Sequence, residues 1–363
     1  MPPACLSPRP EPEQSLLFPM SLSAGKKVLV VGLGAVGSGI AAAFRNSTAT
    51  AYDVTTMDPH APDAKLQTGI LEVPKEELCA LLDGCVEIVY AAEPGNRDDY
   101  TTAGSTIARD NAARFASFVA LVADCWPAAS PMRPHVAYAG GSWTRREAVR
   151  VTESGAPLVD DESPAKTTSA NAYEIAKSEA EAAAERLSAL HRVSITFFDW
   201  ISVVPNFAPN FTIAKMTEAA LRHGKVEYSE GDYGRPLLHS EDAGHAVVLL
   251  AEERLKEAAD QPATFESVLV PGAFTHFREF ARIVVEETKK VSGRSSILAT
   301  PQTNPTPEFL RTRCSSRRMQ DASFTPRADM IEAGLRETCR VAAERVEKEM
   351  LKESPEQGTS EGN

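Results

Sequence analysis

Two short motifs place residue types at spacings that suit chemistry. Tyr173-Glu174-Ile175-Ala176-Lys177 sets a phenol and an ammonium four residues apart, and positions i and i+4 of a helix share a face. A neighbouring cation stabilises a phenolate, which would let Tyr173 exchange a proton with a hydroxyl or carbonyl oxygen. The bland alternative has Lys177 pairing with Glu174 or Glu181 on a solvated helix while Tyr173 packs. The second motif is Gly32-Leu33-Gly34-Ala35-Val36-Gly37. Gly32 permits a tight turn, Gly34 lets a pyrophosphate approach the backbone, and Gly37 lets a helix pack closely on a strand. The helix N-terminus, with Val36 in its first turn, then offers partial positive charge to the phosphates.

Asp53 follows Gly32 by 21 residues. It is read as the carboxylate ending the second strand, where it would accept hydrogen bonds from an adenosine ribose. Such a carboxylate repels a 2′-phosphate, so NAD is favoured over NADP. The alternative is a glycine-rich turn followed by a surface aspartate.

These residues need a scaffold, and the apolar pattern supplies one. Strands are expected over 26–32, 48–54, 69–73 (weak), 86–92, 135–139 and 194–204. Helices are expected over 38–45, from Pro74 onward, over 106–125 and over 172–190. Asn171 and Glu174 are spaced as a capping pair for the last of these. The alternation implies an α/β fold, a doubly wound parallel Rossmann sheet with helices on both faces. After Pro205 the pattern loosens, as a smaller C-terminal substrate lobe would. Residues 1–24 carry six prolines and read as a disordered leader; an organelle-targeting peptide is the alternative, disfavoured by Glu11 and Glu13. The expected division is 25–205 for the NAD-binding unit, with the chain returning at about 239–270. The lobe takes 206–238 and 271–350, and a disordered tail takes 351–363.

Composition removes several classes of function. The 363 residues hold 38 Lys+Arg against 50 Asp+Glu, a net charge of −12, which disfavours a nucleic-acid partner. The apolar stretch 28–44 contains four glycines within eight positions, so it reads as strand, turn and helix and not as a membrane span or signal core. Six cysteines without clustering read as reduced thiols in a reducing, cytoplasmic compartment. The seven histidines form no metal set. A small-molecule substrate is expected, with a homodimer as the assembly allowed for.

Taken together, the chain resembles the extended short-chain dehydrogenases/reductases, the NAD-dependent epimerase/dehydratase family, over about 26–340. Ala91, after Val89-Tyr90, is similar to the family's residue beside the adenine and ribose. Asn111 matches the helix asparagine that the family uses to hold a structural water and proton path. Asp161-Glu162-Ser163-Pro164 resembles its acidic stretch before the tyrosine. Arg235 opens a run through Ala243 like the family's return from the substrate lobe, which implies a diphosphate anchor; the alternative is an ordinary surface salt bridge. The family's catalytic hydroxyl follows the fifth strand. Here that place falls on Ala139, Gly141 or Ser142 according to register, and only Ser142 could donate a hydrogen bond. Trp143 and Thr144 stand where dehydratases carry an Asp-Glu pair, and Val204 replaces a glycine.

The resemblance implies hydride transfer at a secondary alcohol or ketone. Tyr173 transfers the proton, Lys177 assists it and holds the nicotinamide ribose, and Ser142 polarises the carbonyl. An epimerase-like enzyme on a nucleotide sugar leads. A reductase of a non-sugar alcohol and a non-catalytic dinucleotide-binding protein are the alternatives.

Overall fold

The chain is described from a computed structural model, which describes residues 25–93, 106–126, 134–140, 150–151, 157–161, 163, 172–200, 202–209, 211–256, 262–293, 297–302 and 311–353. The leader, Gly141, Ser142, Trp143, Thr144, Glu162, Pro164, Asn171 and the end of the tail lie outside these residues.

Strand β1 (Lys26–Val31) is apolar without alternation because both its faces are covered. Val28 and Val30 enter one core with Ile40 and Phe44 of α1 (Ala35–Arg45). Leu29 and Val31 enter the opposite core with Leu78 and Leu82 of α2 (Lys75–Leu82) and Phe115, Phe118 and Val122 of α3 (Ile107–Cys125). The period of two along one strand thus divides the molecule into three layers.

The other strands are β2 (Tyr52–Met57), β3 (Cys85–Tyr90), β4 (His135–Tyr138), β5 (Arg150–Val151), β6 (Pro157–Val159), β7 (Ser194–Trp200), β8 (Val203–Val204), β9 (Lys225–Tyr228), β10 (Gly234–His239), β11 (Phe265–Val270), β12 (Ala273–His276), β13 (Leu298–Pro301) and β14 (Arg313–Cys314). The main sheet has six strands in the order β11-β7-β4-β3-β1-β2, every pair parallel. The order reverses between β1 and β3, and a crevice at such a point takes ligands in open α/β sheets. Helix α4 (Ala172–His191) shares the α3 face of the sheet, and its Ala180 and Ala184 belong to that core. Helices α5 (Thr212–His223), α7 (Phe277–Ser292) and α9 (Ala328–Glu353) pack on one another in the lobe, around Ile213, Phe280 and Leu335. There β10 pairs with β8 in parallel and with β12 antiparallel.

Helix α6 (Ser240–Arg254) lies against α1 at backbone distance. A Cβ on Gly39 would stand 2.2 Å from the Ser240 carbonyl oxygen, and one on Gly244 would stand 2.5 Å from that of Gly39. Between α6 and α9 runs the short helix α8 (Arg317–Asp321). Beyond it Arg327 closes the lobe onto α6, its backbone N–H and Nε both donating to the buried Asp242 carboxylate at 2.8 and 2.6 Å.

Three expectations change. Residues 69–73 form no strand; Ile70–Glu72 is a single 3-10 turn, closed by Glu72 accepting from the Gly69 N–H. The run 194–204 divides, and Val203–Val204 leaves the main sheet to pair with β10. Cys79 and Cys125 are joined in a disulfide, not free, because α2 packs on α3 and brings their Cα atoms to 4.6 Å. Cys85, Cys314 and Cys339 are not joined in disulfides.

Candidate active site

The carboxyl ends of β1, β3 and β4 are level: Val31 pairs with Tyr90, and Tyr90 with Tyr138. The chain leaves each strand there. After β1 it turns at Gly32, whose φ of +90° suits glycine alone, and whose Cβ would strike the Ala91 carbonyl at 2.6 Å. A Cβ on Gly37 would stand 1.8 Å from the Gly32 oxygen, so α1 can begin this close only with glycine. Gly34 differs: a Cβ there would meet nothing within 4 Å. This is open space in front of the first turn of α1, whose N–H groups, including that of Val36, lack helical acceptors. A pyrophosphate fits that cradle. Ala91 closes its floor, bound through its N–H to the Val31 oxygen at 2.8 Å.

Asp53 is not at this edge. It is the second residue of β2, in register with Lys27, and its exposed carboxylate lies 3.9 Å from the Lys65 ammonium. The strand begins at Tyr52, several residues later than the pattern suggests, so its carboxyl end is Met57 and the acid beside the glycine turn is Asp58. Asp58 accepts from the Leu33 N–H at 2.7 Å through one oxygen, and from the His60 and Ala61 N–H groups at 2.7 and 3.1 Å through the other. Burial pushes its carboxyl up, but the three backbone donors outweigh that and hold it below the usual carboxylate range.

Tyr173 opens α4, half-buried, and Lys177 lies one turn on with its ammonium 5.7 Å from the phenol ring centre. The solvated-helix alternative fails, because the Lys177 side chain is only 6% exposed. It pairs with Glu93, itself 7% exposed, just past β3. The other Glu93 oxygen accepts from the Tyr138 hydroxyl. Glu181 turns elsewhere, accepting from Ser267 on β11. Ala91-Ala92-Glu93 therefore links the glycine turn to the tyrosine–lysine pair in three residues. Buried Tyr90 has its hydroxyl pushed well up, by burial first and then by the Glu93 carboxylate.

Asn111 is buried on α3. Arg235 is half-buried on β10, opposite Thr275 of β12, in the lobe's own sheet. Its neighbour His239 caps α6, accepting from the Glu241 N–H at 3.2 Å, and burial pushes its imidazole down. Of the places considered for the catalytic hydroxyl, Ala139 packs against the α1 core. Gly141 and Ser142 lie outside the described residues. Gly140, between them and the strand, has no room for a side chain, since its Cβ would meet the Phe197 ring at 2.1 Å. No group of three His, Cys, Asp or Glu residues that could hold a metal ion exists among the described residues.

Two site residues escaped the sequence reading. Asp58 carried a signal, because Asp-Pro after a β-branched run marks a strand end and turn. Glu93 carried none, since its partner lies 84 positions away.

A parallel sheet with a glycine turn at its reversal point, an acid beside that turn and a buried Tyr/Lys pair define a dinucleotide-dependent enzyme of the α/β class. The profile of the NAD dependent epimerase/dehydratase family matches residues 28–261, and the chain belongs to that family. No curated protein sequence matches it. Solved structures of the same fold include UDP-N-acetylglucosamine 4-epimerase from Methanobrevibacter ruminantium M1 in complex with UDP-N-acetylmuramic acid. That chain is 15% identical with a TM-score of 0.61, the match covering 88% of this chain and 99% of that one. UDP-glucose 4-epimerase from Brucella ovis in complex with NAD is 15% identical, with a TM-score of 0.62 and coverage of 87% and 98%. MoeE5 in complex with UDP-glucose and NAD is 19% identical, with a TM-score of 0.57 and coverage of 89% and 99%.

Proposed function

We propose that this chain moves a hydride at a secondary alcohol or ketone carbon of a nucleotide sugar, as an epimerase-like enzyme. The observation that carries the reading is the burial of Lys177 beside Tyr173, its ammonium joined to Glu93, two residues after the Ala91 that packs against the glycine turn. The ligands in the neighbouring structures, UDP-sugars and NAD, support it. NAD, when bound, would supply the acceptor and donor for the hydride. Gly32, Gly34, Val36 and Gly37 would seat its pyrophosphate, Ala91 would floor the site, and Asp58 would take the ribose role first read for Asp53. The carboxylate of Asp58 beside the turn favours NAD over NADP.

The Tyr173 phenolate would take the hydroxyl proton of the substrate alcohol as the hydride leaves its carbon, and the phenol so formed would give the proton back on return. The Lys177 ammonium stabilises the phenolate and holds the nicotinamide ribose, and Asn111 keeps a water in line. Ser142 is proposed to polarise the substrate oxygen, and Arg235 to bind the diphosphate. The test is calorimetry with NAD, then with a panel of UDP-sugars added to the loaded protein. Heat from NAD and from at least one sugar nucleotide is expected; heat from NAD alone would overturn the sugar assignment.

That second outcome is the prediction of an alternative, a reductase of a non-sugar alcohol. Fully buried Val204, where sugar-nucleotide members carry glycine, is the residue that favours it. Dehydration is disfavoured by Trp143 and Thr144. A homodimer is part of the proposal and is read by light scattering. No helix among the described residues is long and apolar enough to cross a membrane. The cytoplasm is the proposed location, and there thiols are kept reduced. Titration of unfolded protein distinguishes six thiols from the four left by the Cys79–Cys125 bond.

A further inference from the structure

An ammonium excluded from water keeps its proton only with a counter-charge. Without one, a buried lysine loses its proton several pH units below the usual value. Lys177 is such a group, with 6% of its side chain exposed. Among the described residues, the ionisable groups around it come from several elements. Tyr173 and Glu181 share its helix, and Tyr90 and Glu93 come from β3 and the chain just after it. Tyr138 comes from β4 and Arg114 from α3. Of the two acids, Glu181 is engaged by Ser267, and Glu93 is the one joined to the ammonium. Arg114 and Lys177 both act on Tyr90, so the neighbourhood contains a second cation that opposes the charge on Lys177.

Glu93 is also held in place. Its second oxygen accepts from Tyr138, whose ring is locked between Phe115 at 4.0 Å and Phe197 at 5.1 Å, centre to centre. The carboxylate is thereby tied to the aromatic core of the sheet through Tyr138. We propose that Glu93 is a positioning residue that keeps Lys177 protonated and aimed in a site stripped of water, with Tyr138 fixing the carboxylate. This rests on the reading of Lys177 as the ribose anchor. In this role Glu93 acts through Lys177.

The consequence is a pH dependence that a packing role would not produce. NADH binding to the full-length protein is followed by cofactor fluorescence from about pH 6 to about pH 10, around the lysine range. The wild type is expected to hold its affinity within about twofold up to about pH 9. Glu93→Gln is expected to match it near pH 6. Above the point where Lys177 deprotonates without the Glu93 charge, affinity should fall by up to about tenfold per pH unit. Glu93→Asp, which restores the charge, is expected to flatten the profile again. Tyr138→Phe keeps the carboxylate and frees its rotamer, so it should move the fall in the same direction by less; it also serves if Glu93→Gln does not fold. Profiles for Glu93→Gln and Tyr138→Phe that run parallel to wild type would overturn the assignment. Lys177→Ala separates the two levels. Weak binding without a pH step supports the anchor, whereas wild-type affinity in Lys177→Ala would overturn the anchor and the Glu93 role with it.

Discussion

Asp58 binds the glycine turn through Leu33, and the proposed function also gives it the ribose. Its oxygens take the Leu33, His60 and Ala61 N–H groups, and a carboxylate has about four lone-pair sites, so acceptor capacity remains. Asp58→Asn should therefore loosen the turn and narrow the preference for NADH over NADPH. Asp53→Asn, at the other end of the strand, should leave the ratio unchanged. Fluorescence titration with both reduced cofactors decides, and a ratio that moves only with Asp53 would refute the assignment. Tyr173→Phe removes one oxygen and keeps the ring. Cofactor affinity should hold while turnover falls by roughly 10²–10⁴, the contribution of a positioned proton donor. A silent substitution would return Tyr173 to packing.

At the scale of elements, three glycines of one segment carry different burdens. Alanine in a helix interior is ordinarily better than glycine by about 1 kcal/mol. At Gly39 the sign should reverse, because the methyl would lie 2.2 Å from the Ser240 oxygen and force α1 off α6. Overpacking of this kind costs about 1–3 kcal/mol, so Gly39→Ala should lower the melting temperature. Gly34→Ala meets nothing in the protein and should leave melting unchanged while weakening NAD binding, since its methyl enters the phosphate cradle. Equal melting temperatures for the two variants would contradict the α1–α6 contact. Gly37→Ala should disturb both properties, because its methyl strikes the turn itself.

The whole molecule carries a buried ionic network at the end of the sheet away from the site. Glu87 of β3 accepts from Arg254 of α6, and His135 of β4 lies 2.6 Å from the other Glu87 oxygen and 3.0 Å from the Thr196 hydroxyl of β7. Burial and then the Arg254 charge hold the His135 imidazole below its ordinary value of 6.5. For Glu87, burial works upward, but Arg254 and His135 outweigh it and keep the carboxyl below its ordinary 4.5. Both folded values are depressed, so on acidification the unfolded chain binds protons first. Stability from this network is full above about pH 6.5, the ordinary histidine value, and falls as pH drops towards the folded values. Urea midpoints should decline from pH 7 to pH 5, and His135→Gln should flatten that first decline while lowering the midpoint at pH 7. A wild-type midpoint that stays level across this range would show that the network does not titrate in it.

Much of this architecture was legible in the chain itself. The run Lys26–Val31, the glycine turn and α1 were readable because a buried strand, a φ that only glycine adopts and a close helix start are local demands. The Tyr173/Lys177 pair was readable because helical geometry fixes which neighbours share a face. The start of β2 was not, since register with β1 decides where a strand begins; its end did carry the Asp58-Pro59 turn signal, which the early start at 48 obscured. The short turn Ile70–Glu72 was missed because its apolar residues suited a strand, while Glu72 closed a local turn. The partners of Lys177, Glu87 and Cys79 were silent for a common reason. They lie 84, 167 and 46 positions from Glu93, Arg254 and Cys125. Sequence spacing governs neighbours within a turn of helix or a step of strand; contacts across that distance exist only once the parallel sheet has stacked β3, β4 and their covering helices. The chain alone thus determined the turn, the reactive pair and the layer order. The packed sheet decided which carboxylate lies beside the glycine turn and which one holds the lysine.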